Sequence, residues 1–506
     1  MARGGELTVG AVARHFARLE PGKRALFDAS RLLTYRELDL AADRLASALL
    51  HAGVRRGEVV CAYLPNCIDY VLVVLGVARA GAVFSPINPR YKRYEVEKIL
   101  ALARPRVVFT TDAQRGLLQE LAPSTDAPRI VVVDANAGAH TLQAMLAHAP
   151  SPLPMVDEDD FFSLMFTSGT TGEPKGALAT HRARMLWVLN ATIQYGLVED
   201  DVYLGTMPQV HSAGLTFTLM HLYAGATVRI LPHFDPAEFL ALVERERITS
   251  ALTVPTMLTM IVEALEQAPT RPALGSLKRL VTCGSPLPTA TKRRVIAAIT
   301  PELYDYYGST ESNSMTVLRP CDQLRKPDSV GQAFRNVEVM IATAGGERCV
   351  PGDVGEVWCA NPSIFTAYRD RPDDTARAFT GRWYHTGDLG YLDDEGFLHL
   401  VGRRSDVVIS GGVNIYPAEV EQVLMLHPDV LDAAVVGVPD ATWGQSVKAF
   451  LVVRDNATLD LAGVQRHCAA HLADYKKPRS VEFRAALPKN AGGKTIKSAL
   501  TEAAHA

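Results

Sequence analysis

The chain has 506 residues, 48% hydrophobic and 21% charged, a balance that fits a soluble globular protein with more than one domain. Its 52 basic and 55 acidic residues leave a formal net charge of −3, which argues against nucleic acid or an anionic membrane as a partner. Seven cysteines are scattered without CxxC spacing. We therefore expect reduced thiols in a cytoplasmic protein, with no zinc site, no secretory signal and no integral membrane segment.

The N-terminal third alternates segments that have the periodicity of helices with segments typical of strands. Leu33–Gly53 has apolar residues at helical spacing and ends at a glycine, and Tyr70–Ala80 is a second predicted helix. Arg106–Thr110 and Arg129–Val133 are predicted strands. This alternation predicts parallel sheets covered by helices, which is an α/β fold.

The segment Thr167–Gly176 reads Thr-Ser-Gly-Thr-Thr-Gly-Glu-Pro-Lys-Gly. It follows an apolar run of strand length and precedes a helix-like segment near Thr180 and His181. Its glycines let backbone N–H groups face a ligand, its hydroxyl residues add donors, and Lys175 adds a positive charge. This composition suits a polyphosphate, although the spacing is not that of a Walker A loop. An ordinary polar loop between a strand and a helix is the alternative at this point.

The pattern changes in the second half of the chain. Across Val330–Leu400, short β-like runs separated by Gly and Asp predict a small antiparallel or barrel-like unit. After Arg403 we expect a separate α+β module with helices at Pro417–Leu426 and Leu461–Leu472. The junction at residues 403–408 contains no proline and is predicted to be a tight hinge.

Five further motifs follow the glycine-rich segment: Tyr306–Glu311, Trp383–Asp388, Gly402–Asp406, Ser410–Glu419 and Leu487–Lys494. Several are weak individually, but their joint order closely resembles that of the adenylate-forming enzymes. This superfamily includes acyl-CoA synthetases, amino-acid adenylation domains and luciferases. The identification therefore depends on the order of the motifs rather than on any one of them.

The resemblance implies a two-domain α/β architecture. A large N-terminal domain at residues 1–402 would contain two αβ sheets and a small β-barrel-like unit. A hinge at 403–408 would connect it to a small, mobile α+β domain at 409–506. Ser405 stands where the family's hinge residue is usually Asp or Lys, so the position of the pivot is open.

The resemblance also implies ATP, Mg²⁺ and coenzyme A as cofactors or co-substrates. Glu311 and Thr310 would supply oxygen ligands to Mg²⁺. Asp388 would accept hydrogen bonds from the ribose hydroxyls, and Arg403 would reach the ribose or a phosphate. The complete set implied for nucleotide and coenzyme binding is Thr167, Ser168, Gly169, Thr170, Thr171, Gly172, Lys175, Gly284, Tyr307, Gly308, Thr310, Asp388, Arg403, Gly411, Gly412 and Trp443.

Two parts of this set concern coenzyme A. Gly411 and Gly412 would line the path of the pantetheine arm, because consecutive glycines let another molecule pass close to the backbone. Trp443 resembles an aromatic residue that packs beside coenzyme A in aryl-CoA ligases. The alternative for Trp443 is the usual one for tryptophan, a position in the hydrophobic core.

Four residues are implied for catalysis: Lys494, His211, Thr170 and Glu311. Lys494 would bridge the substrate carboxylate and the α-phosphate and stabilise the charge that develops between them. His211 would orient the carboxylate or act as a gate between two half-reactions. Alternatively, it is a packed histidine whose ring bonds to a backbone carbonyl.

The acyl pocket is the least constrained part of the prediction. The residues implied for it are His211, Ser212, Gly214, Gly284, Tyr306 and Gly308. The segment after His211 lacks the Asp that receives a substrate ammonium in amino-acid adenylation domains. Tyr306 stands where malonate-type members need a cation. We therefore expect an acid with an uncharged aromatic or medium-length aliphatic tail.

These features together predict an enzyme, an AMP-forming acid–thiol ligase that converts a carboxylic acid, ATP and coenzyme A into an acyl-CoA thioester, AMP and pyrophosphate. Two alternatives stay open, a ligase that loads a carrier-protein thiol and a non-catalytic nucleotide-binding homologue. The expected partners are the small-molecule acid, ATP and coenzyme A, and the sequence is compatible with a homo-oligomer.

Overall fold

The computed structural model describes residues 7–121, 127–135, 138, 140–168, 174–410, 413–440, 443–455, 457–489 and 495–505. The chain divides into two compact units. The first contains Met1–Glu338 and Cys359–Tyr384, and the second contains Val339–Trp358 and His385–Ala506. The predicted hinge at 403–408 lies within the second unit and stays a prediction.

The first unit has two large sheets, and the elements are numbered along the chain. The spatial order of one sheet is β15 (Gln332–Ala333), β14 (Asn313–Leu318), β13 (Leu303–Ser309), β12 (Arg279–Cys283), β11 (Ser250–Thr253), β9 (Val202–Gly205), β10 (Thr227–Ile230), β1 (Arg24–Phe27) and β2 (Leu32–Thr34). The order of the other is β18 (Ala367–Tyr368), β8 (Pro174–Thr180), β7 (Phe161–Ser168), β4 (Val83–Pro86), β3 (Val59–Tyr63), β5 (Val107–Thr110) and β6 (Arg129–Val132).

Helices cover these sheets, as the alternating pattern predicts. They are α1 (Arg14–Leu19), α2 (Tyr35–His51), α3 (Ile68–Arg79), α4 (Arg93–Ala103), α5 (Asp112–Leu121), α6 (Leu142–Leu146), α7 (His181–Gln194), α8 (Ser212–Tyr223), α9 (Pro236–Arg245), α10 (Pro255–Gln267), α11 (Thr289–Ala298) and α12 (Pro372–Arg377). The start of α2 shows why such predictions succeed. Thr34 and Glu37 form a reciprocal capping box, a signal that lies in the local sequence.

Both large sheets have parallel centres; the first has antiparallel strands at both edges, and the second has them at one edge only. In the first sheet, strands β9 to β13 and β1 pair in parallel. At its two edges, β2, β14 and β15 pair antiparallel. In the other sheet β3 to β7 are parallel, and β8 and β18 are antiparallel. The carboxyl ends of adjacent parallel strands meet at one edge, and in α/β folds ligands bind at such an edge.

A small sheet occupies the region predicted to change to short β-runs. It contains β16 (Glu338–Ala342), β17 (Gly355–Ala360), β20 (Trp383–Leu392) and β19 (Phe379–Thr380) in spatial order, with β21 (Leu398–Arg403) beside β20. The pairings of β20 with β19 and with β21 are antiparallel.

The C-terminal module has the α+β character that the sequence predicts. Its sheet has the order β23 (Val413–Ile415), β22 (Val408–Ser410), β25 (Gly444–Val453) and β24 (Val430–Asp440), and β26 (Ser480–Phe483) pairs in parallel with β25. Helices α13 (Pro417–Leu424), α14 (Leu461–Ala469) and α15 (Lys497–His505) accompany it. Val435, Ala449 and Leu451 are fully buried in its core with Val420 and Val464. Among the described residues, no helix combines the length and the apolar character needed to span a bilayer.

Candidate active site

The two described ends of the glycine-rich segment lie on paired antiparallel strands, and the second strand leads into the predicted helix. Strands β7 and β8 pair antiparallel, with Thr167 opposite Lys175 and Ser168 opposite Pro174. Helix α7 then begins at His181, as predicted, where the Thr180 hydroxyl accepts the backbone N–H of Ala183 at 3.1 Å. Strand β8 was not predicted from the sequence because it begins with a proline and a nearby glycine, which are unfavourable in strand interiors.

One carboxylate joins two motifs that are far apart in the sequence. Glu311, only 9% exposed, accepts hydrogen bonds on Oε1 from the Thr167 hydroxyl and from the Tyr368 hydroxyl, each at 3.1 Å. Thr167 and Glu311 are separated by 144 positions. Burial, and then the negative charge of Glu311, raise the pKa of Tyr368, so its hydroxyl stays protonated and donates to the carboxylate.

Lys175 has an acidic partner in the same region. Its Nζ lies 3.2 Å from Oδ1 of Asp374 and 5.3 Å from the centre of the Tyr368 ring. Hydrogen bonds from Arg377 and then from Lys175 lower the pKa of Asp374, so this carboxylate is ionised at neutral pH. Sequence reasoning missed Tyr368 and Asp374. The one local signal for Asp374 is its place behind a proline in the first turn of α12, a common place for an acidic residue.

The Tyr-Gly motif lies at the carboxyl end of a parallel strand. Cys283, which precedes Gly284, is paired with Tyr306, so Gly284 and the motif meet at neighbouring strand ends. Gly284 has φ +92°, which favours glycine. A Cβ on Gly308 would lie 1.7 Å from the backbone oxygen of Asn313, so only glycine fits there. Tyr307 lies within β13 and Thr310 immediately follows it, and both residues are half-buried.

The predicted acyl-pocket segment forms the N-terminus of α8. A Cβ on Gly214 would lie 2.4 Å from the backbone oxygen of Pro208, so glycine permits this close approach. The Phe217 ring on α8 stacks against Tyr306, with ring centres 6.1 Å apart. The structure therefore brings together the segment after His211 and the Tyr-Gly motif. Ser212 is buried and accepts a hydrogen bond from the buried Arg184, a residue that the sequence prediction did not include.

His211 is the residue before α8 and is partly exposed. Desolvation of the ring by burial, and then the positive charge of Arg90, lower the pKa of its imidazole, so the ring is neutral at physiological pH. Within the described part of the chain, its ring forms no hydrogen bond. The alternative of a ring bonded to a backbone carbonyl therefore has no support, and the orienting role stays a prediction.

The two predicted ribose residues in the second unit face each other on adjacent strands. Asp388 on β20 is directly opposite Arg403 on β21, and Oδ1 of Asp388 lies 3.0 Å from Nε of Arg403. The Thr386 hydroxyl accepts the backbone N–H of Asp388 at 3.0 Å, which fixes the turn that presents this carboxylate. These two contacts define the orientation of the Asp388 carboxylate.

Trp443 is a surface residue rather than a core aromatic. It is 43% exposed, and the Arg479 guanidinium lies 4.9 Å from its ring centre. The next residue, Gly444, pairs with Ser410, which immediately precedes the predicted pantetheine glycines. In the hinge segment, Ser405 donates to Asp406 at 2.8 Å.

Seven predicted site residues lie outside the described residues: Gly169, Thr170, Thr171, Gly172, Gly411, Gly412 and Lys494. For Ser168 the backbone alone is described, at the end of β7. The roles proposed for these residues depend on the sequence.

Comparison with known proteins places this arrangement in a family. The model of the AMP-binding enzymes matches residues 13–369, and the model of the AMP-binding enzyme C-terminal domain matches residues 419–494. A long-chain-fatty-acid–CoA ligase of Mycobacterium tuberculosis is 33% identical over 505 residues, covering 98% of each chain. A feruloyl-CoA synthase of Amycolatopsis is 35% identical over 483 residues, covering 95% of this chain and 96% of the relative.

A solved structure has the same fold along its whole length. The crystal structure of ATP-bound MatB from Rhodopseudomonas palustris superposes with a TM-score of 0.90 at 30% identity, covering 98% of this chain and 99% of that one. The chain therefore belongs to the AMP-binding enzymes, the adenylate-forming superfamily, and within it to the acyl- and aryl-CoA ligases.

Proposed function

We propose that the protein is an ATP-dependent carboxylic acid:CoA ligase that works through an acyl adenylate. The observation that carries the proposal is the Glu311 carboxylate, which joins Thr167 of the glycine-rich segment to Tyr368, with Lys175 over the same tyrosine ring. A cation and hydroxyl groups beside a buried carboxylate suit a metal-bound polyphosphate.

The first half-reaction forms the mixed anhydride. An oxygen of the substrate carboxylate attacks the α-phosphorus of ATP, the bond to the bridging oxygen breaks, and pyrophosphate leaves. Positioning and charge neutralisation carry this step, because phosphoryl-type transfer requires little acid–base chemistry from the protein. Lys175 and the loop from Thr167 would hold the β- and γ-phosphates, and Thr170 would assist in the same loop. Lys494 would contact both reacting groups.

Mg²⁺ fits this site. Oε1 of Glu311 already accepts two hydrogen bonds, whereas Oε2 has no hydrogen-bond partner in the described part of the chain and retains its lone pairs. No three or more His, Cys, Asp or Glu residues among those described are arranged to hold a metal. Glu311 and Thr310 together with substrate phosphates would therefore bind the ion, which supplies charge neutralisation to the polyphosphate when bound.

The second half-reaction forms the thioester. The sulfur of coenzyme A, as its thiolate, attacks the acyl carbonyl carbon, the bond to the phosphate oxygen breaks, and AMP leaves. Gly411 and Gly412 would line the approach of the pantetheine arm. The exposed Trp443 with Arg479 above its ring supports a contact with the nucleotide end of coenzyme A, because the aromatic face suits a base and the guanidinium suits a phosphate.

The two half-reactions need different groups at one centre, and this supports the domain scheme of 1–402, 403–408 and 409–506. Lys494 would serve adenylation and Gly411 would serve thioester formation, with a change of backbone torsions near Ser405 between them. The acid would have an apolar body, since Leu215, Phe217 and Met220 of α8 are buried beside the predicted pocket.

Two assays test the proposal. Carboxylate-dependent ATP–pyrophosphate exchange over a broad panel of acids measures adenylation. Coenzyme A-dependent release of AMP with the best acid then measures thioester formation. Exchange without AMP release on adding coenzyme A would indicate a different thiol acceptor, and absence of exchange with every acid would contradict the proposal.

A further inference from the structure

Arg184 is a buried cation that contacts neutral groups. It lies in the first turn of α7 and is only 2% exposed. Its Nη1 donates to the Ser212 hydroxyl at 2.9 Å and to the Thr216 hydroxyl at 2.7 Å. The guanidinium carbon lies 5.2 Å from the centre of the Trp187 ring. Burial lowers the pKa of Arg184 to about 10, so it is still charged at neutral pH.

Among the described residues, three of the five guanidinium N–H groups have no acceptor. Nε is enclosed without a hydrogen-bond partner, and among the described residues neither Nε nor Nη2 has an acceptor. The described residues also include no carboxylate within ion-pair distance of Arg184. A charge buried in this way is strongly unfavourable unless something compensates it.

The other buried arginines of the first unit provide an internal comparison. Arg79, with a side chain 2% exposed, forms ion pairs with Asp39 and Asp43. Arg229, with a side chain 4% exposed, forms an ion pair with Glu246 at 3.1 Å. The chain thus supplies a carboxylate where an arginine is buried for structure, and the lack of one at Arg184 calls for another source of negative charge.

The position of Arg184 indicates what that source is. Ser212 and Thr216 lie on α8, next to the predicted pocket residues His211 and Gly214. Trp187, against which Arg184 packs, donates from its indole to the Ser314 hydroxyl at 2.9 Å, on the strand that follows the Tyr-Gly motif. The guanidinium therefore contacts α8 directly, close to the predicted pocket residues at its start, and is connected to the strand after the Tyr-Gly motif through Trp187. No side chain caps the N-terminus of α8, whose dipole also favours an anion.

We infer that the acid substrate carries a second carboxylate at the end remote from the reacting one, and that Arg184 binds it. This inference rests on the proposed function and deepens it. The unused Nε and Nη2 groups lie on one edge of the guanidinium, the edge that forms paired hydrogen bonds with a carboxylate. The hydroxyls of Ser212 and Thr216 accept from Nη1 and keep their own protons for a ligand. The substrate class is a dicarboxylic acid with an apolar spacer.

This assignment revises the uncharged tail expected from the sequence. That expectation came from the absence of a charged residue in the segment after His211 and of a cation next to the Tyr-Gly motif. Arg184 belongs to neither segment. It lies in the helix after the phosphate loop, where a second arginine, Arg182, is exposed and forms an ion pair with Glu158. In sequence the two arginines look equivalent, and only the fold distinguishes them.

The test measures ATP–pyrophosphate exchange with matched acids. For each straight chain length, the dicarboxylate, its mono-amide and the monocarboxylate are compared, together with benzoate and its carboxylated analogue. We expect the wild-type enzyme to prefer the dicarboxylate of one length over both analogues. Arg184→Met should lower kcat/KM for that dicarboxylate by about 10²- to 10³-fold, chiefly through KM, because one member of a buried charge pair is lost. The monocarboxylate should react as well as before or better, and Arg182→Met is the matched control.

The outcomes separate the inference from the proposed function. Exchange with monocarboxylates but no preference for any dicarboxylate overturns the inference and leaves the ligase proposal intact. An equal loss for both acid types in Arg184→Met, with Arg182→Met unaffected, also overturns it, because this would indicate a purely structural role. Exchange with no acid contradicts both. If Arg184→Met does not fold, the wild-type selectivity and the Arg184→Lys variant decide.

Discussion

The ion pair between Lys175 and Asp374 predicts that the protein restrains the lysine proposed to bind the polyphosphate. Nζ of Lys175 is 3.2 Å from Oδ1 of Asp374, and the two side chains are 20% and 16% exposed. A polyphosphate must compete with this carboxylate for the same ammonium group. Asp374→Asn should therefore tighten ATP binding, because the amide keeps the shape of the side chain and removes its charge.

The expected magnitude follows from the exposure of the pair. A partly exposed ion pair contributes about 1 kcal/mol at most, which corresponds to roughly a fivefold change in the Kd for ATP. Asp374 also accepts from Arg377 at 2.6 Å and lies in the first turn of α12, so a small loss of thermal stability should accompany the tighter binding.

The pH dependence has a defined sign. The pKa of Asp374 is lowered in the folded protein, so its ion pairs stabilise the fold above the ordinary value of 3.8 and are lost as pH falls through the lower folded value. Its charge is therefore constant near neutrality. The ratio of the variant and wild-type Kd values should accordingly not change between about pH 6 and 8.

Calorimetric titration with a non-hydrolysable ATP analogue, in the absence of acid substrate, measures this effect. Asp373→Asn is the matched control, because it removes the same charge from the same turn and forms no ion pair with Lys175 in the described structure. Unchanged or weaker binding in Asp374→Asn, or equal tightening in both variants, would refute the competition between Asp374 and the polyphosphate.

Four further changes test other parts of the proposal. Lys494→Ala should reduce adenylate formation by orders of magnitude and still convert a supplied acyl adenylate with coenzyme A; equal loss of both rates in folded protein would contradict this. Ser405→Pro fixes φ and should abolish one half-reaction while the other persists, and two near-wild-type rates would move the pivot elsewhere. Trp443→Ala should raise the KM for coenzyme A by about fivefold with pyrophosphate exchange unaltered, since an aromatic contact contributes about 1 kcal/mol. Gly308→Ala should lower the free energy of unfolding by about 3 kcal/mol through overpacking, whereas Gly116→Ala, with open space around it, serves as the control in urea titrations.

Local signals explain what the sequence predicted well. The capping box of Thr34 and Glu37 begins α2, and the Thr180 hydroxyl begins α7 where the pattern indicated. The alternation of helices and strands predicted parallel sheets, because the helical and the strand spacing of apolar residues can each be seen within a short segment of sequence. The motifs likewise located Glu311 and Lys175, which the structure brings together through their shared contact with Tyr368.

The contacts that the sequence did not predict are those made between distant segments. Tyr368 has no signature of its own and Asp374 has only its place behind a proline, so their importance is seen only from their contacts with Glu311 and Lys175. Arg184 differs from Arg182 only in the direction that its side chain takes from the helix. Strand β8 was missed because Gly176 interrupts its pattern, although a Cβ there would lie 2.7 Å from the Leu164 side chain.

The antiparallel pairing of β20 with β21 has a consequence for inhibition by the product AMP. Arg403 is held in register opposite Asp388, and the next three residues form a single helical turn outside the sheet. A pivot in that turn would leave the ribose contacts proposed for Asp388 and Arg403 unchanged while the residues after it reorient. The sugar would then be held by the same two side chains from the arrival of ATP to the departure of AMP. Free AMP should therefore inhibit both half-reactions with similar potency, and its release would set the upper limit on turnover.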